Sequence, residues 1–499
     1  MIWLLSTALA QEDDPYGRYR VEDPNHPDAV ARSASGSVLL QPPAEGDYSV
    51  EEAPDVHAFV GSYEAREALD AMNIGAWHEA GYLGQGVKIA VFDLQWYGSE
   101  LKDEELGVFE TWDCWAHEAC TPEMDTLRPR FSYETGSHGV ACAEVVRDLA
   151  PEAELHLVRV NGNTTFENAA EWAVRNEIDV VTLSMSFMNG SYYDGTGTTA
   201  RVVERMSEGG VLLITSAGNY ARGHYMDEFR DSDGDGVHEL ADGSQRLPIY
   251  LQAGKKRGVT VQWDNYRRCG DTDLDLWLYA EDGSVLDIAD AVQDGEDGCS
   301  PVERLGADLD KGQWTWLEVH RVRGDPAVRW NLITTSGKVE GAMAEGSVTD
   351  PGTHPLAWTV GAAAGQGFLT NDLEGFSSWG PNMAGDPKPD IVAPDGLSTS
   401  VYGPTGFYGT SASSPAAAAA LAVVMSARPE LDAREASELV EGWAVAERSS
   451  WQATDNAHGA GYLRLPDPGS ELPGCFGRAF GSAALLLFPW TLLRRRRPC

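Results

Sequence analysis

The stretch that decides the fold is Gly409-Thr410-Ser411-Ala412-Ser413-Ser414-Pro415, which runs into the apolar segment 416–425. Because that segment is apolar on every side, it predicts a helix buried inside a globular domain. Pro415 is typical of a helix's first turn, where a missing N–H is tolerated. Ser411 then lies at the helix start, where free N–H groups and the helix dipole favour an anion. Such a serine is either a nucleophile or an ordinary helix cap.

Upstream of this stretch, apolar strands alternate with helices. The segments 88–92, 154–160, 180–185 and 211–215 resemble buried strands, and 166–176 and 199–208 resemble helices. Continuous apolar strands that alternate with helices predict a parallel sheet covered on both faces. The fold class is therefore an α/β domain of three layers, and its pattern resumes at Trp358-Thr359-Val360-Gly361.

Between these two parts the pattern changes to a period of two residues. The segments 259–263, 274–278, 314–319 and 328–332 alternate apolar and polar residues between Gly and Asp turns. This alternation is typical of an antiparallel β-sandwich. We therefore expect an α/β domain over 66–228 and 346–446, an inserted sandwich over 229–345, and a linker over 447–472.

Three more polar side chains lie where an open parallel sheet places its functional groups, just past the carboxyl ends of strands. Asp93 ends the first strand, His138 opens an amphipathic helix, and Asn219 follows the strand 211–215. Each has a plainer explanation when taken singly: a solvated strand end, a structural histidine, and a turn residue.

Taken in order, Asp93, His138, Asn219 and Ser411 resemble the four catalytic segments of the subtilisin-like serine peptidases, the subtilases. The stretches 84–88, 150–153, 376–381 and 388–394 are similar to the family as well, so the resemblance covers about 70–228 and 345–445. It implies a subtilisin-like parallel-sheet domain that is interrupted by the β-sandwich.

The resemblance also implies an activity, that of a serine endopeptidase. Ser411 would attack the peptide carbonyl, His138 would carry the proton, and Asp93 would hold the histidine. The Asn219 amide and the Ser411 N–H would bind the oxyanion. The segment Ser184-Met185-Ser186 would bind the substrate.

The chain departs from the family pattern in three places. Leu94-Gln95 follows the aspartate, where the family usually has Ser/Thr-Gly; the run after the histidine ends in Glu144; and Ser186 replaces a glycine. None of these changes removes a catalytic side chain. We expect Glu144 and Ser186 to reshape the substrate cleft.

The segment 231–242 has the spacing of a calcium-binding loop, with oxygen ligands at relative positions 1, 3, 5, 9 and 12 and glycine at position 6. The predicted ligands of a structural Ca²⁺ are Asp231, Asp233, Asp235, Val237, Glu239 and Asp242. A second acidic row, Asp271, Asp273 and Asp275, is interpreted as the solvated face of a strand.

The charge of the chain limits its partners. With 37 Lys and Arg against 77 Asp and Glu, the net charge is −40, which excludes ordinary nucleic-acid binding. We expect protein or peptide substrates and a monomer. A catalytically inactive subtilase fold that binds surfaces through its sandwich, an adhesin, is the alternative.

Both ends of the chain predict export. Residues 1–10 are apolar and end in Ala8-Leu9-Ala10, like a signal peptide, and 11–65 form an acidic flexible leader or short pro-segment. The segment 473–499 places Gly474-Cys475 before an apolar run and Arg494–Arg497. It resembles myxobacterial-type sorting signals, read by processing machinery at Cys475; a plain membrane anchor is the alternative. The expected location is secreted or at the cell surface.

The seven cysteines fit an oxidising compartment. We expect the pairs Cys114–Cys120 and Cys269–Cys299, each of which lies within one region of the sequence. Cys142 falls in a helical apolar pattern and is predicted to be a buried thiol.

Overall fold

The computed structural model describes residues 19–21, 31–33, 36–39, 65–98, 103–114, 120–122, 124, 136–188, 190–266, 271–293, 301–370, 373–445 and 455–470. The helices α1 to α8 are Arg66–Ala71, Ile74–Glu79, Asp103–Leu106, His138–Leu149, Asn163–Arg175, Gly197–Glu208, Thr410–Ala427 and Ala433–Glu441. The strands β1 to β11 are Tyr19–Val21, Ala31–Ser33, Gly36–Leu39, Lys88–Asp93, Phe109–Asp113, Thr121–Pro122, Glu154–Arg159, Val180–Leu183, Leu212–Ser216, His224–Glu228 and Leu247–Leu251. The strands β12 to β22 are Gly254–Trp263, Asp273–Tyr279, Val285–Ala289, Val302–Leu309, Gln313–Arg323, Arg329–Ile333, Gly337–Val339, Trp358–Ala364, Ile391–Asp395, Leu397–Thr399 and Gly403–Phe407.

The largest sheet has the strand order β20-β19-β9-β8-β4-β7-β5-β6. Every neighbouring pair in it is parallel except β5 with β6, which is antiparallel. The carboxyl ends of the parallel strands therefore meet at one edge, which is where the predicted site residues lie. The predicted α/β fold is confirmed.

Both faces of this sheet are covered, as its apolar strands predict. In β4, Ile89 and Val91 belong to one hydrophobic cluster, which also contains residues of α4 and α7. Their neighbours Ala90 and Phe92 belong to a second cluster, which contains residues of α5 and α6. The two clusters make the three layers of the domain.

Helix α7 runs through the middle of the first cluster. Its residues from Ala416 to Val424 have no exposed surface, which explains why no face of it is polar. Among the described helices it is the one long and apolar enough to cross a membrane, yet 83% of it is buried inside the protein. We therefore assign it to the core of the α/β domain.

Between β9 and β19 the chain forms two antiparallel sheets, β10-β17-β12-β15 and β14-β13-β16-β11-β18. They enclose a separate core that contains Trp263, Leu276 and Trp330. The sandwich begins at β10, since His224 pairs with Ile333. It therefore starts before the predicted boundary at residue 229, because the short strand 224–228 already pairs with the insert.

The predicted linker 447–472 is wrong over 455–470. Tyr462 and Leu463 are fully buried, and the backbone of Leu463 donates to Val392 of β20 at 2.8 Å. The indole of Trp77 donates to the carbonyl of Pro466 at 2.8 Å. The segment is polar enough to suggest a linker, but its few apolar residues dock on the α/β domain.

The leader and the tail are described only in part. Within 11–65, β1, β3 and β2 form an antiparallel sheet in which Tyr19 pairs with Leu39, so part of this segment forms strands rather than a flexible chain. The predictions for residues 1–10 and 473–499 lie outside the described residues, and so does the pair Cys269–Cys299. The disulfide Cys114–Cys120 is present, and Cys142 is a free, buried cysteine, as predicted.

Candidate active site

Asp93 and His138 meet at the carboxyl edge of the central sheet. Asp93 is the last residue of β4 and is 1% exposed, and His138 is the first residue of α4. Nδ1 of His138 lies 2.7 Å from Oδ2 of Asp93. The other carboxylate oxygen accepts the backbone N–H groups of Leu94 and Gln95 at 2.8 and 2.9 Å. The carboxylate is therefore oriented by its own turn and offers one oxygen to the histidine.

A glycine makes this close approach possible. A Cβ at Gly139 would lie 2.7 Å from the Cβ of Asp93 and 3.0 Å from the ring of Trp96. Any larger residue would push the start of α4 away from the strand end. Gly139 thus keeps the histidine within hydrogen-bond distance of the aspartate.

Burial alone lowers the pKa of His138, because it penalises the charged ring. The negative charge of Asp93 and its hydrogen bond act in the opposite direction and outweigh burial, so the pKa of His138 is raised above 6.5. An imidazole held in this way accepts a proton readily.

Ser411 is the second residue of α7, and it comes to the same edge of the sheet. The prediction that Pro415 lies in the first turn is wrong, since the helix starts at Thr410 and Pro415 is inside it. A proline has no N–H for the carbonyl four residues earlier, which is that of Ser411. This carbonyl accepts from Ser184 Oγ at 3.1 Å and from Cys142 Sγ at 3.7 Å instead. The backbone of Ser411 is thereby bonded to the residue that follows β8 and to α4.

Asn219 follows β9 and contacts the same helix start. Its Oδ1 accepts the backbone N–H of Thr410 at 3.0 Å and the Thr410 hydroxyl at 2.9 Å. With Oδ1 occupied by two donors, the Nδ2 group of Asn219 is the end left to donate to an oxyanion. A Cβ at Gly409 would lie 2.9 Å from that Nδ2, and Gly409 has a φ of +109°, so glycine is required there.

The hairpin β21–β22 covers the histidine. Phe407 packs edge-on against the His138 ring with centroids 5.7 Å apart, and Tyr402 stacks on Phe407 at 5.0 Å. Glu144, two turns along α4 from the histidine, accepts the backbone N–H of Ser400 at 2.8 Å and also its hydroxyl. Glu144 is fully buried, so the expectation that it reshapes the cleft directly is wrong: it fastens the hairpin instead.

The predicted substrate segment follows β8. Ser184 contacts the Ser411 backbone as described, Met185 packs against the second hydrophobic cluster, and Ser186 accepts the Thr349 hydroxyl at 2.8 Å. Ser186 also bonds the phenol of the half-buried Tyr220. Just beyond this segment, Arg304 of the sandwich donates to the carbonyl of Met188 at 2.9 Å. A sandwich residue therefore contacts the backbone just after the predicted substrate segment, and the role of that segment in binding stays a prediction.

Three of the predicted calcium ligands converge. Carboxylate oxygens of Asp231, Asp233 and Asp235 lie within 4.8 Å of one another. Glu239 accepts the Ser232 hydroxyl at 2.8 Å, and Asp242 accepts the backbone and hydroxyl of Ser244 at 2.9 and 2.7 Å. Hard carboxylate oxygens suit Ca²⁺, so the first three residues fit the ion, whereas Asp242 serves its own turn. Val237 donates its N–H to Asp235 at 2.8 Å.

The second acidic row is a solvated face only in part. Asp271 is exposed and Asp275 is half-buried, as predicted. Asp273 is 3% exposed and its carboxylate accepts the backbone N–H of Gln293 at 3.1 Å, so the prediction is wrong for Asp273.

The sequence did not indicate a role in the site for two residues, Thr410 and Asp395. Thr410 binds Asn219 as described. Asp395 ends β20 and accepts the N–H of Gly409 at 2.8 Å, next to the nucleophile turn. The available signal for Asp395 is an acidic residue directly after the apolar strand 391–394, the same pattern that marks Asp93.

The sequence is similar to those of known proteases. The subtilase family model (peptidase S8) matches residues 84–262 and 320–461. The minor extracellular protease Vpr of Bacillus subtilis is 27% identical over 471 residues, which cover 82% of this chain and 55% of Vpr. A thermostable alkaline protease of Halalkalibacterium halodurans is 32% identical over 169 residues, which cover 31% of this chain and 41% of that protein. The chain thus spans about half the length of these curated relatives.

A solved structure supports the fold independently. The CspB protease of Clostridium perfringens superposes with a TM-score of 0.55 at 15% identity, over 80% of this chain and 97% of that chain. The matched family segments contain Asp93, His138 and Asn219 in the first part and Ser411 in the second. Since the family model covers more than half of the sequence and the fold agrees, the chain belongs to the subtilase family.

Proposed function

We propose that this chain is a serine endopeptidase that hydrolyses peptide bonds through Asp93, His138 and Ser411. The observation that carries the proposal is the 2.7 Å contact between Asp93 Oδ2 and His138 Nδ1. That contact leaves Nε2 of His138 as the ring nitrogen that takes a proton. An inactive adhesin has no need for an oriented imidazole, so this geometry favours the enzyme.

The first chemical step forms an acyl-enzyme. The Ser411 Oγ attacks the peptide carbonyl while His138 takes its proton, and the charge of Asp93 stabilises the imidazolium. The oxyanion receives hydrogen bonds from the Asn219 amide and the Ser411 N–H at the start of α7. When the tetrahedral intermediate collapses, the C–N bond breaks and His138 gives the proton to the leaving amine.

The second step releases the acyl group. Water attacks the ester, His138 takes a proton from the water, and Ser411 leaves with that proton as the free hydroxyl. The reaction consumes one water for each peptide bond. The substrates are therefore proteins or peptides, and the name of the extracellular relative supports export of this chain as well.

Casein hydrolysis tests the proposal. Purified protein is expected to cleave unstructured casein, and Ser411→Ala is expected to abolish cleavage. Ser413→Ala is the matched control, because Ser413 lies on the same helix and its buried hydroxyl has no partner among the described residues. Cleavage that persists in Ser411→Ala, or no cleavage by the unsubstituted protein, contradicts the proposal.

We also propose that Asp231, Asp233 and Asp235 hold a structural Ca²⁺ at the start of the sandwich. Calcium is expected to raise the Tm, and a chelator is expected to lower it. The double variant Asp233→Asn and Asp235→Asn should lose this response. The control is Asp282→Asn, since Asp282 caps an exposed turn at Ser284 in the same sandwich. A Tm that ignores calcium in the unsubstituted protein rules the site out.

A further inference from the structure

Asp395 is a buried carboxyl group that the mechanism above does not use. It ends β20 at the same sheet edge as Asp93, has no exposed surface, and accepts the backbone N–H of Gly409 with Oδ2 at 2.8 Å. Its other oxygen, Oδ1, is buried and has no hydrogen-bond partner among the residues that the structure describes. A buried carboxyl with one unused oxygen is costly, because such groups are normally fully hydrogen-bonded.

The hydrogen bond between Asp395 and the Gly409 N–H lies two residues before Ser411. Gly409 is held at a φ of +109°, immediately before α7. The next residue, Thr410, gives both its N–H and its hydroxyl to Asn219, and Ser411 follows. A rotation of the Gly409 backbone would therefore move the nucleophile and the oxyanion donor together.

We propose that Asp395 is a positioning residue for the nucleophile, whose carboxyl group holds the Gly409 backbone so that Asn219 and Ser411 face the same oxyanion. This inference rests on the proposed peptidase function. Asp395 touches no reacting atom in the proposed mechanism. It acts through Gly409, in the way that an outer group orients a catalytic one.

The surroundings of Asp395 make the strength of its hydrogen bond with the Gly409 N–H depend on pH. Burial raises the pKa of Asp395 to about 7, the hydrogen bond from Gly409 lowers it, and the charge of Glu374 raises it further. On α1, Glu67 is a further acid on this side of the domain, and its carboxylate accepts the Ser398 hydroxyl at 2.8 Å. Asp395 is thus neutral in acid and charged in weak base. A charged acceptor forms the stronger bond to an N–H group, so the Gly409 backbone is held more firmly above neutrality.

The test compares kcat and KM across pH 5.5 to about 9.5 for the unsubstituted protein and Asp395→Asn. The amide of Asn accepts the Gly409 N–H but does not ionise. The ratio of the two kcat values removes the titration of His138, which both proteins share. We expect kcat of the unsubstituted protein divided by kcat of Asp395→Asn to rise about five-fold as pH increases through one ionisation near neutrality. The KM values should stay similar. The five-fold rise corresponds to about 1 kcal/mol, the amount by which a charged hydrogen bond is stronger than a neutral one. In Asp395→Ala, which has no acceptor, kcat should fall further.

Glu374→Gln gives a second readout. Removing the Glu374 charge should move the step in the kcat ratio to lower pH without removing it, which a merely structural role of Asp395 does not predict. A ratio that is flat or falls with pH overturns the inference, as does a kcat of Asp395→Ala equal to that of the unsubstituted protein.

Failure of the inference is separable from failure of the proposed function. Labelling by a fluorophosphonate probe is measured first on the unsubstituted protein. Absence of both labelling and hydrolysis overturns the function and the inference together. A labelled, active protein with a flat ratio overturns the role of Asp395 alone.

Discussion

Ser184 donates a hydrogen bond from its Oγ to the carbonyl oxygen of Ser411 over 3.1 Å. In an uninterrupted helix this carbonyl would accept the N–H of residue 415, which is a proline here. The Ser184 hydroxyl, just after β8, thus replaces the missing helical hydrogen bond to the carbonyl of Ser411. This carbonyl lies one helical turn before Pro415. Pro415 removes one hydrogen bond of the continuous helix α7 at the point where Ser184, just after β8, can bind the Ser411 carbonyl.

Replacing Ser184 by alanine is expected to affect both rate and stability. The Ser411 carbonyl would keep only the weak thiol donor of Cys142, so the free energy of unfolding should fall by about 1–2 kcal/mol. We expect kcat to fall about ten-fold, measured by peptide hydrolysis, with unfolding followed in urea. Ser426→Ala is the control, because Ser426 donates to Val423 at the far end of α7 and should leave kcat unchanged. An unchanged kcat in Ser184→Ala would contradict this account of the contact.

The pH dependence of hydrolysis should follow His138. The ring must be neutral to take the proton of Ser411, and Asp93 raises its pKa above 6.5 despite the opposing effect of burial. We therefore expect kcat/KM to be low in acid and to rise with pH through that raised pKa. Asp93→Asn should lower the rate by about 10⁴. Rates that stay constant across the acid range would be inconsistent with a histidine base.

The amide of Asn219 should act on the transition state alone. Asn219→Ala is expected to lower kcat by roughly 100- to 1,000-fold with little change in KM, because the donor is used only once the oxyanion forms. Thr410→Val removes one of the two donors that orient the amide and should cost less than Asn219→Ala. Steady-state kinetics on one peptide measure both. A rise in KM with unchanged kcat would instead assign Asn219 to substrate binding.

Asp395 should make the protein less stable as pH rises. The carboxyl loses its proton near pH 3.8 when the chain is unfolded and near pH 7 when it is folded. The unfolded state therefore binds fewer protons between these values, and stability falls with rising pH, by up to about 1.4 kcal/mol per pH unit. We expect Asp395→Asn to match the unsubstituted protein in Tm near pH 4 and to exceed it at pH 8. If the Tm difference between Asp395→Asn and the unsubstituted protein is the same at pH 4 and pH 8, the raised pKa of Asp395 is contradicted.

The fold was largely predictable because its signals are local. Residues 89–92 of β4 are all apolar since both faces of the strand are buried, and residues 416–425 of α7 are all apolar because they lie in the core. The sandwich alternates because each of its sheets has one face in water. The boundaries were less predictable, as the sandwich strand β10 and the docked segment 455–470 show. Their pairing depends on distant residues such as Ile333 and Val392.

The residues proposed for the site could be singled out from the sequence, but most of their supporting contacts could not. Asp93, His138, Asn219 and Ser411 stand out because each ends or follows a strand or starts a helix, and because their order resembles that of the subtilases. Their catalytic roles stay predictions. Glu144 was assigned to the cleft, yet it binds Ser400, a residue 256 positions away in the chain. Asp395 was missed because an acidic residue after an apolar strand is a weak signal by itself. Its partner is the backbone N–H of Gly409, and the sequence does not show which backbone group a side chain will bind.

The most direct test of the central claim is the intact mass, followed by peptide mapping, after treatment with a fluorophosphonate probe. We predict a single covalent adduct on Ser411 in the unsubstituted protein, retained in Ser413→Ala, strongly slowed in His138→Ala and absent in Ser411→Ala. An unlabelled protein, or an adduct on Ser411 that forms equally fast without His138, would contradict the account.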